Sequence, residues 1–218
     1  MSDSQILGSA RGKIKGDRVR IISGSRKGHR LVEWEESGIR PMRDFVRSAL
    51  FNILADLVID ARFLDLFCGT GSVGLEALSR GAREATFVDR SPKACGIVRR
   101  NLDLLGFLDQ GSVLQRDYAI GIDHLQRRGK RYDLIFVGPP YDRGLADSAL
   151  RLMAEHSILA EDGFIITEVR NKTDLEDIYG PLERFDRRRY GDNVLDFYSL
   201  AESTVREQDS EKEDKEEK

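Results

Sequence analysis

Three carboxylates, a glycine turn and a double proline carry the chemistry this sequence can offer. Asp65 stands in the run Phe63-Leu64-Asp65-Leu66-Phe67-Cys68-Gly69-Thr70-Gly71-Ser72-Val73-Gly74. Asp89 and Asp117 close two later apolar runs. Gly69, Gly71 and Gly74 fit the G-x-G-x-x-G spacing of a turn that admits a nucleotide, and Asp89 falls at about the ~20-residue offset of a ribose carboxylate. NAD and S-adenosylmethionine (SAM) both use such a unit. Asp65 separates them, because a carboxylate at the strand end repels a pyrophosphate and attracts the ammonium of a methionine moiety. The loop D-x-F-x-G-x-G therefore reads as a SAM loop, with NAD as the alternative that calorimetric titration of both would decide. Asp89 can accept both ribose hydroxyls, and Asp117 can accept the adenine amino group. Phe67, Arg90 and Tyr118, each close in sequence to one of these acids, complete the candidate cofactor set.

Gly138, Pro139, Pro140 and Tyr141 form the candidate catalytic set. Two prolines stiffen a corner and fix the direction of its carbonyls. A tyrosine beside them can stack on an extruded base. An exocyclic amine is a poor nucleophile until acceptors pin its protons and turn its lone pair toward the methyl sulfonium. Positioning and electrostatics then do the rest, without a metal. His29, His124 and His156 are scattered, and Cys68 and Cys95 have no metal spacing, so no metal site is expected.

These residues need a frame, and the chain supplies an alternation of strands and helices. The strands are Phe63 to Phe67, Ala85 to Asp89, Val113 to Asp117, Tyr132 to Val137 and Phe164 to Val169. Helices fall between them: Ser72, acting as cap, to Arg80; Ser91-Pro92, a capped start, to Leu105 with Gly106 as its stop; Ile120 to Arg128; and Leu145 to His156. Arg187 to Asn193 reads as a hairpin turn before a last strand, VLDFYSL. The pattern predicts an α/β Rossmann-like fold, a mostly parallel seven-stranded sheet with an antiparallel edge hairpin. Asp65, Asp89 and Asp117 then share the carboxyl edge, where open α/β sheets bind ligands.

The 218 residues divide into a flexible start (1–17), an N-terminal extension of hairpin and helix (18–58), the main domain (59–201) and an acidic disordered tail (202–218). The helix of the extension follows Pro41 and shows an apolar face of Phe45, Val46, Ala49, Leu50, Ile53 and Leu54. The net charge of −3 conceals an asymmetry: eight Lys/Arg against Asp17 alone between Arg11 and Arg30, and eight acids against four bases from Glu202 onward. A basic hairpin is a grip for phosphates. Arg20, Arg26, Lys27 and Arg30, with Arg40, Arg43 and Arg47 near the cofactor strand, are the candidate RNA contacts. The chain has neither a membrane-length apolar run nor a signal-peptide core, so a cytoplasmic protein acting as a monomer on RNA is expected.

The chain resembles the bacterial 16S ribosomal RNA guanine-N2 methyltransferase family. Four stretches carry the resemblance: RIISGSRKGHRL (Arg20 to Leu31), GIRPMRDFVRSALFNIL (Gly38 to Leu54), LDLFCGTGSVGLEALSRGA (Leu64 to Ala82) and FVGPPY (Phe136 to Tyr141). The resemblance implies a class I SAM-dependent fold with an RNA-binding extension, SAM as cofactor, and 16S rRNA or the small ribosomal subunit as partner. The expected product is one guanine methylated on its N2 amine. By position, Asp65, Gly69 and Gly71 would hold the methionine end, Asp89 the ribose, Asp117 the adenine, and Pro139-Pro140-Tyr141 the target guanine. The chain departs from the family at Gly138, where Asp is usual before Pro-Pro-Tyr or Pro-Pro-Phe. Losing one such polar partner costs about 2.7–4 kcal/mol, or ~10²–10³ in rate. A weakened or non-catalytic RNA-binding relative, a substitute acid such as Asp142, or an altered residue would each account for it. Met42-Arg43 is a smaller departure, at a place where the family often has small hydroxyl residues. DNA adenine or cytosine N-methylation stays open too, since a Pro-Pro-Tyr turn serves several amines.

Overall fold

The computed structural model describes residues 19–32, 42–140 and 144–201. Arg40, Pro41, Tyr141, Asp142, residues 1–18 and the acidic tail lie outside the described residues. Eight strands form one sheet: β1 (Arg62–Leu66), β2 (Glu84–Asp89), β3 (Gly111–Gln115), β4 (Tyr132–Val137), β5 (Leu159–Arg170), β6 (Ile178–Tyr179), β7 (Leu182–Tyr190) and β8 (Asn193–Leu200). Their order is β3-β2-β1-β4-β5-β8-β7-β6. The first five are parallel and the last three antiparallel. The expected seven strands become eight because Ile178–Tyr179 adds a short pair to β7, anchored where the Tyr179 hydroxyl donates to Asp147 at 2.8 Å.

Among the described residues five helices cover the sheet: α1 (Asp44–Leu54), α2 (Ser72–Ser79), α3 (Pro92–Leu105), α4 (Tyr118–Arg127) and α5 (Leu145–Glu155). Alternation along each strand sends Phe63, Phe87, Leu134, Phe136 and Ile166 into one core layer, and Leu64, Leu66, Val88, Ile135 and Val137 into the other. Both faces are buried, which is why the strands read as nearly continuous apolar runs. The strand order reverses between β1 and β4, so the crevice for a ligand opens at their carboxyl ends. No helix of the described residues is long and apolar enough to cross a membrane.

Several element ends differ from the sequence reading, each for a local reason. Ser72 does not cap α2. Gly71 precedes the helix in a left-handed conformation (φ 75°), and the Asp65 carboxylate caps it from β1 by accepting from the Gly74 N–H at 2.9 Å. Gly74 is a packing glycine, since a Cβ there would sit 2.4 Å from the Phe87 ring. Ser91 caps α3 as expected, accepting from the Ala94 N–H at 3.2 Å, and Gly106 ends it in the left-handed region. Asp117 lies beyond β3 and caps α4 by accepting from the Ala119 N–H at 3.1 Å. Arg187 to Tyr190 belong to β7, which leaves Gly191-Asp192 as the turn. On α1 the buried face holds Val46, Arg47, Leu50, Phe51 and Leu54, whereas Phe45 is 70% exposed, its ring edge-on to Tyr190.

The basic hairpin is smaller than two strands. One antiparallel bridge joins Arg20 and Arg30, flanked by bonds from the Ile21 N–H to the His29 carbonyl and from the Leu31 N–H to the Val19 carbonyl. A 3-10 turn, Gly24–Arg26, lies between. Val19, Ile21 and Leu31 join the same core layer as Phe63 and Ala77. Gly24 lies so close to α2 that a Cβ there would fall 1.8 Å from the Ser79 carbonyl oxygen. The hairpin's main anchor is Glu76 of α2, fully buried. Its carboxylate accepts from the Ile22 N–H at 2.7 Å, the Ser23 N–H at 2.9 Å and the Arg80 guanidinium at 2.8 Å.

Candidate active site

A cavity of about 420 Å³ opens at the carboxyl ends of β1, β2 and β4. That volume is within the range of small-molecule clefts, about 300–1,000 Å³. Asp65, Asp89 and Asp117 all line it, so three acids that the sequence placed on separate strand ends meet in one space. Each is steadied by backbone N–H donors. Asp65 takes Gly74. Asp89 takes Gly69 at 2.9 Å on one oxygen and Ser91 at 2.8 Å on the other. Asp117 takes Ala119. Asp65 is 2% exposed, and burial pushes its carboxyl up to about 7. The neighbouring Asp89 charge adds to the shift, and the Gly74 N–H opposes it.

Phe67 and Tyr118 form an aromatic wall, with ring centroids 5.0 Å apart and planes tilted by 37°. Phe67 is held at φ 68°, a left-handed conformation that costs a non-glycine residue about 1–2 kcal/mol. Such strain persists where the surroundings fix it and gathers at functional sites. Here it turns the ring into the cavity at the end of β1. Gly69 and Gly71 follow at φ 52° and 75°. Arg90 is exposed at the rim. Cys68 also lines the cavity, but burial raises its thiol well above the ordinary range, which keeps it protonated and inert. Three carboxylates and an aromatic wall suit a ligand that carries a cation, hydroxyls and a flat ring.

The diproline corner lies in the same cavity. Gly138, Pro139 and Pro140 line it; Tyr141 lies outside the described residues. Gly138 follows β4, and a Cβ built on it would sit 2.6 Å from Cε1 of Phe136. The Phe136 ring therefore occupies the volume that a side chain at 138 would need. Restoring a carboxylate there forces the ring aside. Gly138→Asp should lower stability by about 1–3 kcal/mol through this overpacking. In a Phe136→Leu background the same change should cost less than half as much, a coupling that thermal melts of the four proteins read directly. If Gly138→Asp melts like the parent, the ring is not the obstacle.

The basic residues separate into those that face solvent and those that do not. Lys27, Arg30 and Arg43 are exposed, and the Arg20 side chain is 65% exposed beside Asp44. Arg26 is half-buried, its Nε donating to the Leu105 carbonyl at 2.6 Å and its guanidinium lying over the Phe107 ring. Arg47 is a correction: its side chain is fully buried, donating to the Arg20 carbonyl at 2.6 Å and to Asp44 at 3.0 Å, near Glu76. It lies on the inner face of α1 and cannot reach RNA. Arg40 lies outside the described residues.

Met42, Phe136, Leu145 and Glu168 also line the cavity and were missed in the sequence. Glu168 carried a readable signal, being one more acid near the carboxyl end of an apolar strand. The other three look like ordinary core residues until the fold places them.

A family model described as "Conserved hypothetical protein 95" matches residues 19–199. A relative named "Ribosomal RNA small subunit methyltransferase D", from Escherichia coli (strain K12), is 34% identical over 151 residues, covering 69% of this chain and 74% of that one. One of the same name from Haemophilus influenzae (strain ATCC 51907 / DSM 11121 / KW20 / Rd) is 31% identical over 154 residues, covering 71% of this chain and 79% of that one. Among solved structures, a hypothetical protein of Thermus thermophilus superposes with a TM-score of 0.72 at 28% identity, covering 84% of this chain and 99% of that one.

Proposed function

This chain belongs to the class I SAM-dependent rRNA methyltransferase family that these matches define, and from that premise we propose that it transfers a methyl group from SAM to the N2 amine of a guanine in 16S ribosomal RNA. The observation that carries the reading is the meeting of three strand-end acids with a diproline corner in one cavity. When bound, SAM supplies an electrophilic methyl on a sulfonium, already a good leaving group.

The residues divide the work by their chemistry. Asp65, with the backbone of Gly69 and Gly71, holds the methionine ammonium. Asp89 accepts the ribose hydroxyls, and Asp117 accepts the adenine amine. Phe67 and Tyr118 flank the adenine, and Arg90 closes the rim. Gly138, Pro139 and Pro140 form the floor on which the target base is laid, with Tyr141 as its stacking partner. Arg20, Lys27, Arg30 and Arg43 meet phosphates, with Arg40 assigned to the same role and Arg26 bracing the hairpin that carries them. The protein's contribution is in-line placement of amine and methyl.

Small ribosomal subunits from a strain lacking the modification, incubated with protein and methyl-labelled SAM, should take up label that appears as N2-methylguanosine after digestion. SAM binding without any transfer to guanine would overturn the reading in favour of a binding protein. Label in adenine or cytosine would redirect it to another amine.

A further inference from the structure

Glu168 is a fourth carboxylate in the cavity, and the cofactor gives it no task. On β5 it follows Thr167, which pairs with Val137 of β4. The parallel register therefore sets Glu168 beside Gly138. Alternation directs its side chain to the face shared by Phe136 and Ile166, the face toward which position 138 also points. Glu168 is 6% exposed and lines the cavity together with Gly138 and Pro139. Its Oε1 accepts from Nδ2 of Asn193 on β8 at 2.6 Å, and Asn193 is itself 6% exposed. A carboxylate buried at this depth is costly unless its polar partners are in place.

We propose that Glu168 is the side-chain acceptor for the target's exocyclic amine, doing from β5 what a carboxylate at position 138 would do from β4. The inference rests on the methyltransfer reading above. Glutamate is one methylene longer than aspartate, which recovers part of the ~4.8 Å between adjacent strands. The Phe136 ring, by filling the volume next to Gly138, keeps that side of the base apolar, and among the described residues Glu168 is the carboxylate set beside Gly138. One amine proton points to Glu168 and the other to the Pro139 carbonyl. The nitrogen lone pair forms the new N–C bond, while the methyl's bond to sulfur breaks and its electrons return to sulfur. The proton that nitrogen sheds passes to Glu168 and on to water. Asn193 is a positioning residue that holds the carboxylate.

Glu168→Gln keeps an acceptor oxygen for Asn193 and nearly the same volume, so melting temperature and S-adenosylhomocysteine affinity should hold. Its kcat on small subunits should fall about 10²–10³-fold with little change in KM. A second readout needs no turnover. A 16S RNA fragment carrying the target as guanine should bind the parent better than one carrying inosine, which lacks the amine, and Glu168→Gln should shrink that preference to what the Pro139 carbonyl alone supports. Parental kcat, or an undiminished guanine preference, overturns the proposal. A parent protein that labels no guanine overturns the methyltransfer reading instead. Should Glu168→Gln melt early, Asn193→Ala carries the test. A carboxylate left unoriented should lower kcat about tenfold at unchanged cofactor affinity, and an unchanged kcat overturns the assignment.

Discussion

Glu76→Ala should lower the folding free energy by about 3–5 kcal/mol and free the basic hairpin from the domain. Two effects add. The Ile22 and Ser23 N–H groups lose their acceptor, at about 1–3 kcal/mol for each polar group left buried and unpaired. Arg47, whose side chain is fully buried with its Nε 4.0 Å from Glu76, keeps Asp44 as its compensating acid among the described residues. Burial already pushes the Arg47 guanidinium below its ordinary range, with Glu76 the larger of the two charges that oppose the fall. Hydrogen exchange reads the local part: amides of Ile21, Gly28 and Leu31, bonded across the hairpin, should lose protection before those of β1 and β4. Because no described residue of the hairpin lines the cavity, SAM affinity should change far less than RNA affinity. A variant that melts like the parent with the hairpin still protected would show that the contact contributes nothing.

That anchor also marks where sequence reading stops. The strands were legible because a sheet buried on both faces leaves continuous apolar runs, and Asp65, Asp89 and Asp117 stood out as acids ending them. The Ser91-Pro92 start and Gly106 stop of α3 were legible because caps act over three or four residues. Glu76 and Arg47 were not. Each is charged, and on a lone helix a charge signals solvent. Their burial follows from a hairpin fifty residues away in sequence coming to rest on α2, which no local pattern encodes. A clue was present in SVGLEALS, a helix apolar all round with one acid, since such an acid must be buried with a partner. The same reasoning explains the misplaced cap. Asp65 reaches Gly74 from a different element, so the local rule chose Ser72. Gly138 could be read as a missing carboxylate, but the Phe136 ring beside it and Glu168 across the register needed three-dimensional placement.

Asp65→Asn should move stability and cofactor affinity in opposite directions. The folded carboxyl sits at about 7 against an ordinary value of 3.8, so the group is raised on folding. Below pH 4 it is neutral in both states and costs nothing. As pH rises from about 4 to about 7 the unfolded chain gains a hydrated charge while the fold resists ionising it, so the protein loses stability across that window and levels off above it. Asparagine keeps an acceptor for the Gly74 N–H and never ionises, so at pH 7 and above the variant should gain about 2–4 kcal/mol over the parent when no ligand is bound. In the proposed site, affinity runs the other way. The methionine ammonium binds the ionised form, so parental SAM affinity should fall about tenfold for each pH unit below 7 and flatten above it. Calorimetry in buffers of different ionisation heat should find more proton released on binding at pH 6 than at pH 7. Asp65→Asn should abolish both the slope and the release, and weaken binding about 10–100-fold at pH 8, the worth of one charged hydrogen bond. Affinity independent of pH in the parent, or a variant that binds SAM as well as the parent, would remove Asp65 from the site. The Asp65 carboxyl would then serve the fold alone, through the cap it gives the Gly74 N–H at the start of α2.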